Sequence, residues 1–158
     1  MKTKTLILAL CSMALIIAGC EKKTEPTPAG TLKGDVSQPT WTSPEKHDYT
    51  SSMTVIAKVD LKANFSELAK DWELKENDLL GAFIGETCCG VGELKDGLYY
   101  LYVAVPSGEQ LAENPQVTLR YYSNFYTNLF EQKDAFPFVN DDRKGTASTP
   151  FVPTFAKP

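Results

Sequence analysis

Thiols, phenols and turn carboxylates are the side chains whose types and spacing could do chemistry in this chain. Cys88 and Cys89 are adjacent within Gly81-Ala-Phe-Ile-Gly-Glu-Thr-Cys-Cys-Gly-Val-Gly92. A catalytic thiol needs a base, a cation or a helix N-terminus to lower its pKa, and the immediate neighbours are Thr87 and Gly90. Adjacency also strains a disulfide, because bridged Cα atoms usually lie about 4.4–6.8 Å apart and consecutive ones only about 3.8 Å. Zinc takes four ligands, which two thiols without a second pair cannot supply. One thiol packed as a small hydrophobe and one facing outward is the expected arrangement. No catalytic residue, metal or cofactor is expected.

The phenols cluster more. Tyr99, Tyr100 and Tyr102 stand together, as do Tyr121, Tyr122 and Tyr126. Tyrosine offers flat apolar area with a polar end, which suits stacking on sugars and contact with proteins. Adjacent strand residues point to opposite faces, so one tyrosine of each adjacent pair should face outward. Tyr100, Tyr102, Tyr122 and Tyr126 are the candidate ligand-binding residues, with cross-strand aromatic packing as the alternative. Asn140 and Asp141 join them as polar candidates in the turn Asn140-Asp-Asp142. Those oxygens could also hold Ca²⁺ if they met Asn77-Asp78. Asn and Asp equally form turns through their own side chains, and the spacing of a calcium loop is missing.

Common enzymes lack their parts. The single histidine, His47, falls in a linker-like stretch, and there is no glycine-rich phosphate loop. Twenty acidic residues always allow some carboxylate pair of the glycosidase kind, but no motif surrounds one. The expectation is a non-enzymatic chain.

The elements that must position these groups read as strands. Met53, Val55, Ala57, Val59 and Leu61 alternate with Thr54, Lys58 and Asp60, the period of a half-buried strand. Asn64 to Trp72 breaks that period. Phe65, Leu68, Ala69 and Trp72 are spaced for a short helix near 65–72, with Asn64 and Glu67 as a capping box. Further strands are predicted at Leu79–Ile84, Cys88–Leu94, Leu98–Val105, Val117–Ser123, Phe125–Glu131, Phe136–Val139 and Phe151–Phe155, with Asp96-Gly97 as a hairpin turn. Seven or eight short strands and little helix predict an all-β, antiparallel sandwich of immunoglobulin-like or jelly-roll-like kind over residues 49–158.

These motifs resemble a module of lipoproteins and multi-domain secreted proteins of the Bacteroidetes. The resemblance spans residues 53–155. It rests on Asn77-Asp-Leu-Leu-Gly-Ala-Phe-Ile-Gly-Glu-Thr-Cys-Cys-Gly-Val91, Tyr99-Tyr-Leu-Tyr-Val103, Thr118-Leu-Arg-Tyr-Tyr122, Phe138-Val-Asn-Asp-Asp142 and Pro150-Phe-Val-Pro-Thr-Phe155. In that family one cysteine is followed by arginine and glycine, so Cys88 is the family cysteine and Cys89 stands in place of the arginine. The resemblance implies a β-sandwich and transfers no activity.

The N-terminus supplies the address. Lys2 and Lys4 precede an uncharged run from Leu6 to Ala18, too short for a hydrocarbon core that needs about 20 residues. That is the anatomy of an export signal, residues 1–19. Leu15-Ile-Ile-Ala-Gly-Cys20 resembles a bacterial lipobox, which implies lipidation at Cys20. Residues 20–48, rich in Pro, Thr, Ser and Lys, are expected to be a flexible tether. Loss of Lys2 and Lys4 leaves 16 − 2 = 14 basic against 20 acidic residues, a net charge of −6. Such a balance has no electrostatic footprint for nucleic acid. The expected partners are therefore the membrane, through the lipid, and either a glycan or another cell-envelope protein. The expected place is the outer membrane, facing the periplasm or the surface.

Overall fold

The computed structural model describes residues 31–45, 49–108 and 112–158. Cys20 and His47 lie outside the described residues. Among the described residues there are nine strands: β1 Tyr49–Ala57, β2 Leu79–Ile84, β3 Thr87–Val91, β4 Glu93–Lys95, β5 Leu98–Pro106, β6 Gln116–Ser123, β7 Asn128–Glu131, β8 Phe136–Pro137 and β9 Arg143–Lys144. They form two sheets. The first has the order β4-β5-β1-β9, and the second β3-β2-β6-β7 with β8 also paired to β6. All pairings are antiparallel except β1 with β9. The fold is all-β and sandwich-like, as the alternation predicts.

The period-two pattern of β1 does what it implies. Met53, Val55 and Ala57, followed by Val59 and Leu61, are buried, while Thr54 and Asp60 are partly exposed and Lys58 is exposed. From the facing strands come Leu80, Ala82, Leu101, Val103, Val117, Leu119, Tyr121 and Phe130 to complete one core. The chain changes sheets at Gly92. Its N–H still bonds the Leu80 carbonyl at 2.8 Å, and Glu93 then starts pairing with Tyr100 in the first sheet. What reads in sequence as one strand over Cys88–Leu94 is therefore two, β3 and β4. The sheets come closest where β3 meets β5, since a Cβ at Gly90 would collide with the Tyr102 carbonyl oxygen.

Several local expectations are corrected. The helix, α1, spans Leu61–Phe65 and continues as a 3₁₀ turn over Ser66–Ala69, earlier than residues 65–72. Asp60 caps it by accepting the Ala63 N–H at 2.9 Å. Asn64 is occupied elsewhere: its side chain donates to the Pro153 carbonyl and accepts from the Phe155 N–H. Arg143–Lys144, read as turn, is a strand. Phe151 and Phe155, read as the ends of a strand, each make one isolated bridge, to Ala57 and to Gln132.

The largest correction concerns the tether. Residues 31–43 are a packed strap that belongs to the domain. Leu32 is 1% exposed and sits in the core. Gly34 and Val36 donate to the Tyr126 and Thr127 carbonyls, each at 2.9 Å. The strap then crosses the outer face of the second sheet, where the Val36 carbonyl accepts the Tyr122 hydroxyl at 3.1 Å. Trp41 packs edge-on against Phe83 at 5.2 Å, over Gly81, whose missing side chain makes room for the indole. Ser43 Oγ accepts the Val91 N–H at 2.8 Å, on the edge strand β3. Composition favours disorder here, but docking sites supplied by distant residues override it.

Candidate functional site

The strap covers the second sheet, so the open aromatic face is the outer face of the first. On β5, Leu101 and Val103 point into the core, and Tyr100 and Tyr102 point out. Tyr102 is 48% exposed. Its hydroxyl shares a 2.6 Å hydrogen bond with the Ser52 hydroxyl on β1, and the Tyr49 ring meets its ring edge-on at 5.5 Å. The Ser52 hydroxyl, and after it Tyr49, hold the Tyr102 phenol below its usual pKa, while the bond with Tyr102 raises that of Tyr49.

The turn before β9 closes on the same serine. Asn140 Oδ1 accepts the Ser52 N–H at 2.8 Å, and the Asp141 N–H donates to the Ser52 carbonyl at 2.8 Å. Asn140 Nδ2 in turn donates to Asp141 Oδ2 at 2.9 Å. Asp141 holds a left-handed backbone, φ 62°, a conformation that Asn and Asp adopt more readily than most residues. The structure thus brings Tyr100, Tyr102, Asn140 and Asp141 to one exposed region. Chemically, it offers a planar apolar ring whose hydroxyl is pinned, bordered by carboxylate and amide oxygens. Such a region can stack on a sugar ring and bond its hydroxyls.

Tyr122 and Tyr126 are not part of it. Tyr122 is 3% exposed beneath the strap. Tyr126 is 7% exposed and donates to the Leu68 carbonyl at 3.1 Å. The alternation rule does turn Tyr122 away from the core face of Tyr121. It does not reveal that another segment covers that outer side. Tyr49 and Ser52 complete the region without standing out in the sequence. For Ser52, a place among the polar residues of β1 is the one available signal.

The other candidates resolve differently. Cys88 and Cys89 sit at a β-bulge: Cys88 pairs with Phe83 and Gly90 with Ala82, leaving Cys89 as the extra residue. Cys89 is buried, with its thiol 3.6 Å from the Thr87 carbonyl. Cys88 is half-buried and lies 3.8 Å from the Gly90 carbonyl; burial pushes its thiol pKa up, the direction opposite to activation. Asp78 and Asn140–Asp142 do not share a site. Asp78 is bonded to Tyr121, Lys75 and Asn124, whereas the side chains and backbone of Asn140–Asp142 bond β1. Among the described residues, no three His, Cys, Asp or Glu side chains converge as metal ligands.

On the second sheet, Arg120 makes paired 3.0 Å bonds to Glu86 and one more to Glu131. Its guanidinium stacks over Phe83 at 4.4 Å. Three of its five N–H groups are thus engaged by carboxylates of the same sheet region, in a surface network next to the strap.

Comparison with known proteins gives no match to a family model, to a curated protein or to a solved structure.

Proposed function

We propose that the chain is a lipid-anchored, non-enzymatic module of the cell envelope that binds a glycan on the outer face of its first sheet. The observation that carries this reading is the exposed Tyr102 ring, fixed through its hydroxyl to Ser52 beside Asn140 and Asp141. A fixed ring loses little conformational freedom on binding, which favours a flat, weakly held ligand such as a sugar. The lipobox-like segment ending at Cys20 supports attachment to the outer membrane. Several acyl chains at one residue hold a protein stably, whereas one chain is marginal. Attachment also raises the local concentration of the module, so a weak intrinsic contact suffices.

The test is retention of the purified domain on immobilised envelope polysaccharides and on a glycan array. Retention is expected for the native protein and for Tyr122→Phe, whose ring lies under the strap. It is expected to disappear in Tyr102→Ala, with thermal unfolding showing that the variant is folded. Equal retention of Tyr102→Ala and the native protein would overturn the reading, as would no retention of the native protein on any glycan.

A further inference from the structure

We infer that this face contains a subsite for the carboxylate of an acidic sugar, received by Arg143; the inference rests on the glycan reading of the same face. Strand β1 pairs antiparallel with β5 on one side and parallel with β9 on the other. Thr54 is in register with Tyr102 across the first pairing and with Arg143 across the second. Residues in register share a face. The next residues along, Val55 and Val103, are buried, so the row Tyr102–Thr54–Arg143 faces outward. Neighbouring strands lie about 4.8 Å apart, which puts the backbones of Tyr102 and Arg143 about 10 Å from one another. Two linked pyranose rings fit across that row, the first stacked on Tyr102 and the second above Thr54 and Arg143.

Arg143 is exposed, and its guanidinium makes no hydrogen bond or ion pair among the described residues. The chain has one other arginine, Arg120, and that one is taken up by Glu86 and Glu131 on the opposite sheet. Lys144 is no competitor for the ligand: its ammonium lies over Phe136 and Phe151, 4.7 and 4.5 Å from the ring centres. Carboxylates border the subsite without neutralising it. Asp141 lies beside Ser52, tied to Asn140, and Asp142 adjoins Arg143 in the chain without pairing to it. The face therefore carries negative charge beside Ser52 and positive charge beside Thr54. An acidic sugar placed with its carboxylate toward Arg143 gains paired, charge-assisted hydrogen bonds, which a guanidinium fork offers in fixed geometry. A neutral sugar of the same size gains only the stack and the hydroxyl contacts.

The experiment compares a trisaccharide of galacturonic acid with the neutral galactose trisaccharide, by calorimetric titration of the full-length protein. The native protein is expected to bind the acidic trisaccharide at least about tenfold more tightly, as suits charge-assisted bonds against neutral ones. The preference should shrink as salt rises, because exposed charges are screened. Arg143→Gln should bring the two affinities together while leaving neutral binding in place, and Tyr102→Ala should remove both. Equal affinities in the native protein, or a preference that survives Arg143→Gln, would overturn the subsite and leave the glycan reading standing. If the native protein binds neither trisaccharide while being retained by other neutral glycans, the subsite alone falls. With no glycan bound at all, both fall together.

Discussion

The Asp78 carboxylate accepts the Tyr121 hydroxyl at 2.5 Å, joining two residues 43 positions apart at the heart of the sandwich. Asp78 is 3% exposed, yet it is well supplied with donors. Its other oxygen accepts the Asn124 N–H at 2.7 Å, and the Lys75 N–H adds a third bond at 2.9 Å. The Asp78 carbonyl takes the Tyr99 hydroxyl at 3.2 Å. One buried side chain thus ties the loop before β2 to β6 and to the turn after it, beside the tyrosine of β5 that reaches its backbone.

Removing that carboxylate should be costly. Asp78→Ala would strand three donors, two of them backbone N–H groups, and each unsatisfied buried group costs about 1–3 kcal/mol. A loss of about 3–5 kcal/mol is expected in urea unfolding. Asp78→Asn preserves the shape and two acceptor lone pairs, and should lose less than half as much. Equal midpoints for Asp78→Ala and the native protein would show that the hub is not structural.

Alkaline pH should loosen the same region. Burial, and after it the Asp78 charge, push the Tyr99 and Tyr121 hydroxyls well above the usual tyrosine range. Near pH 10 the unfolded chain releases these protons while the native state keeps them. The native state then holds more protons, so stability falls as pH rises. Below about pH 9 their contribution is fully present. Above pH 10 each tyrosine should remove roughly 1.4 kcal/mol per pH unit. Urea midpoints measured between pH 8 and 11 should show a flat region and then a decline, made shallower by Tyr121→Phe. A level profile to pH 11 would contradict the burial of these phenols.

The strap gives a third test. Leu32→Ala removes a side chain from the core and should cost about 2–4 kcal/mol, in the range of buried leucine truncations. Lys33→Ala, one residue on and exposed, should change stability by less than about 0.5 kcal/mol. A free tether would show no difference between them.

How much could be read in advance depended on the range of the interactions involved. Alternation over Met53–Leu61 reports burial directly, because each residue's face is set by the pleat. The two-layer fold followed from that, whereas the pleat of β5 told only that one of Tyr99 and Tyr100 faces outward; the structure buries Tyr99. The helix boundary did not. Asn64 has the right neighbours for a cap, but Pro153 and Phe155 claim its side chain from 89 and 91 positions away. The strap was hidden for the same reason. Its few apolar residues, Leu32, Val36 and Trp41, follow no strand or helix period, and its anchors are Gly81, Tyr122, Tyr126 and Asn128, none of them nearby in sequence. Arg143 looked like part of a turn because a two-residue strand leaves no period to detect.

The strap also makes the two outer faces of the sandwich unequal. Val36 and Trp41 meet Tyr122 and Phe83 on the second sheet, so the rings of that side are taken up within the chain itself. On the first sheet Tyr102 keeps 48% of its surface open. Two layers built from similar strands thereby acquire a back and a front.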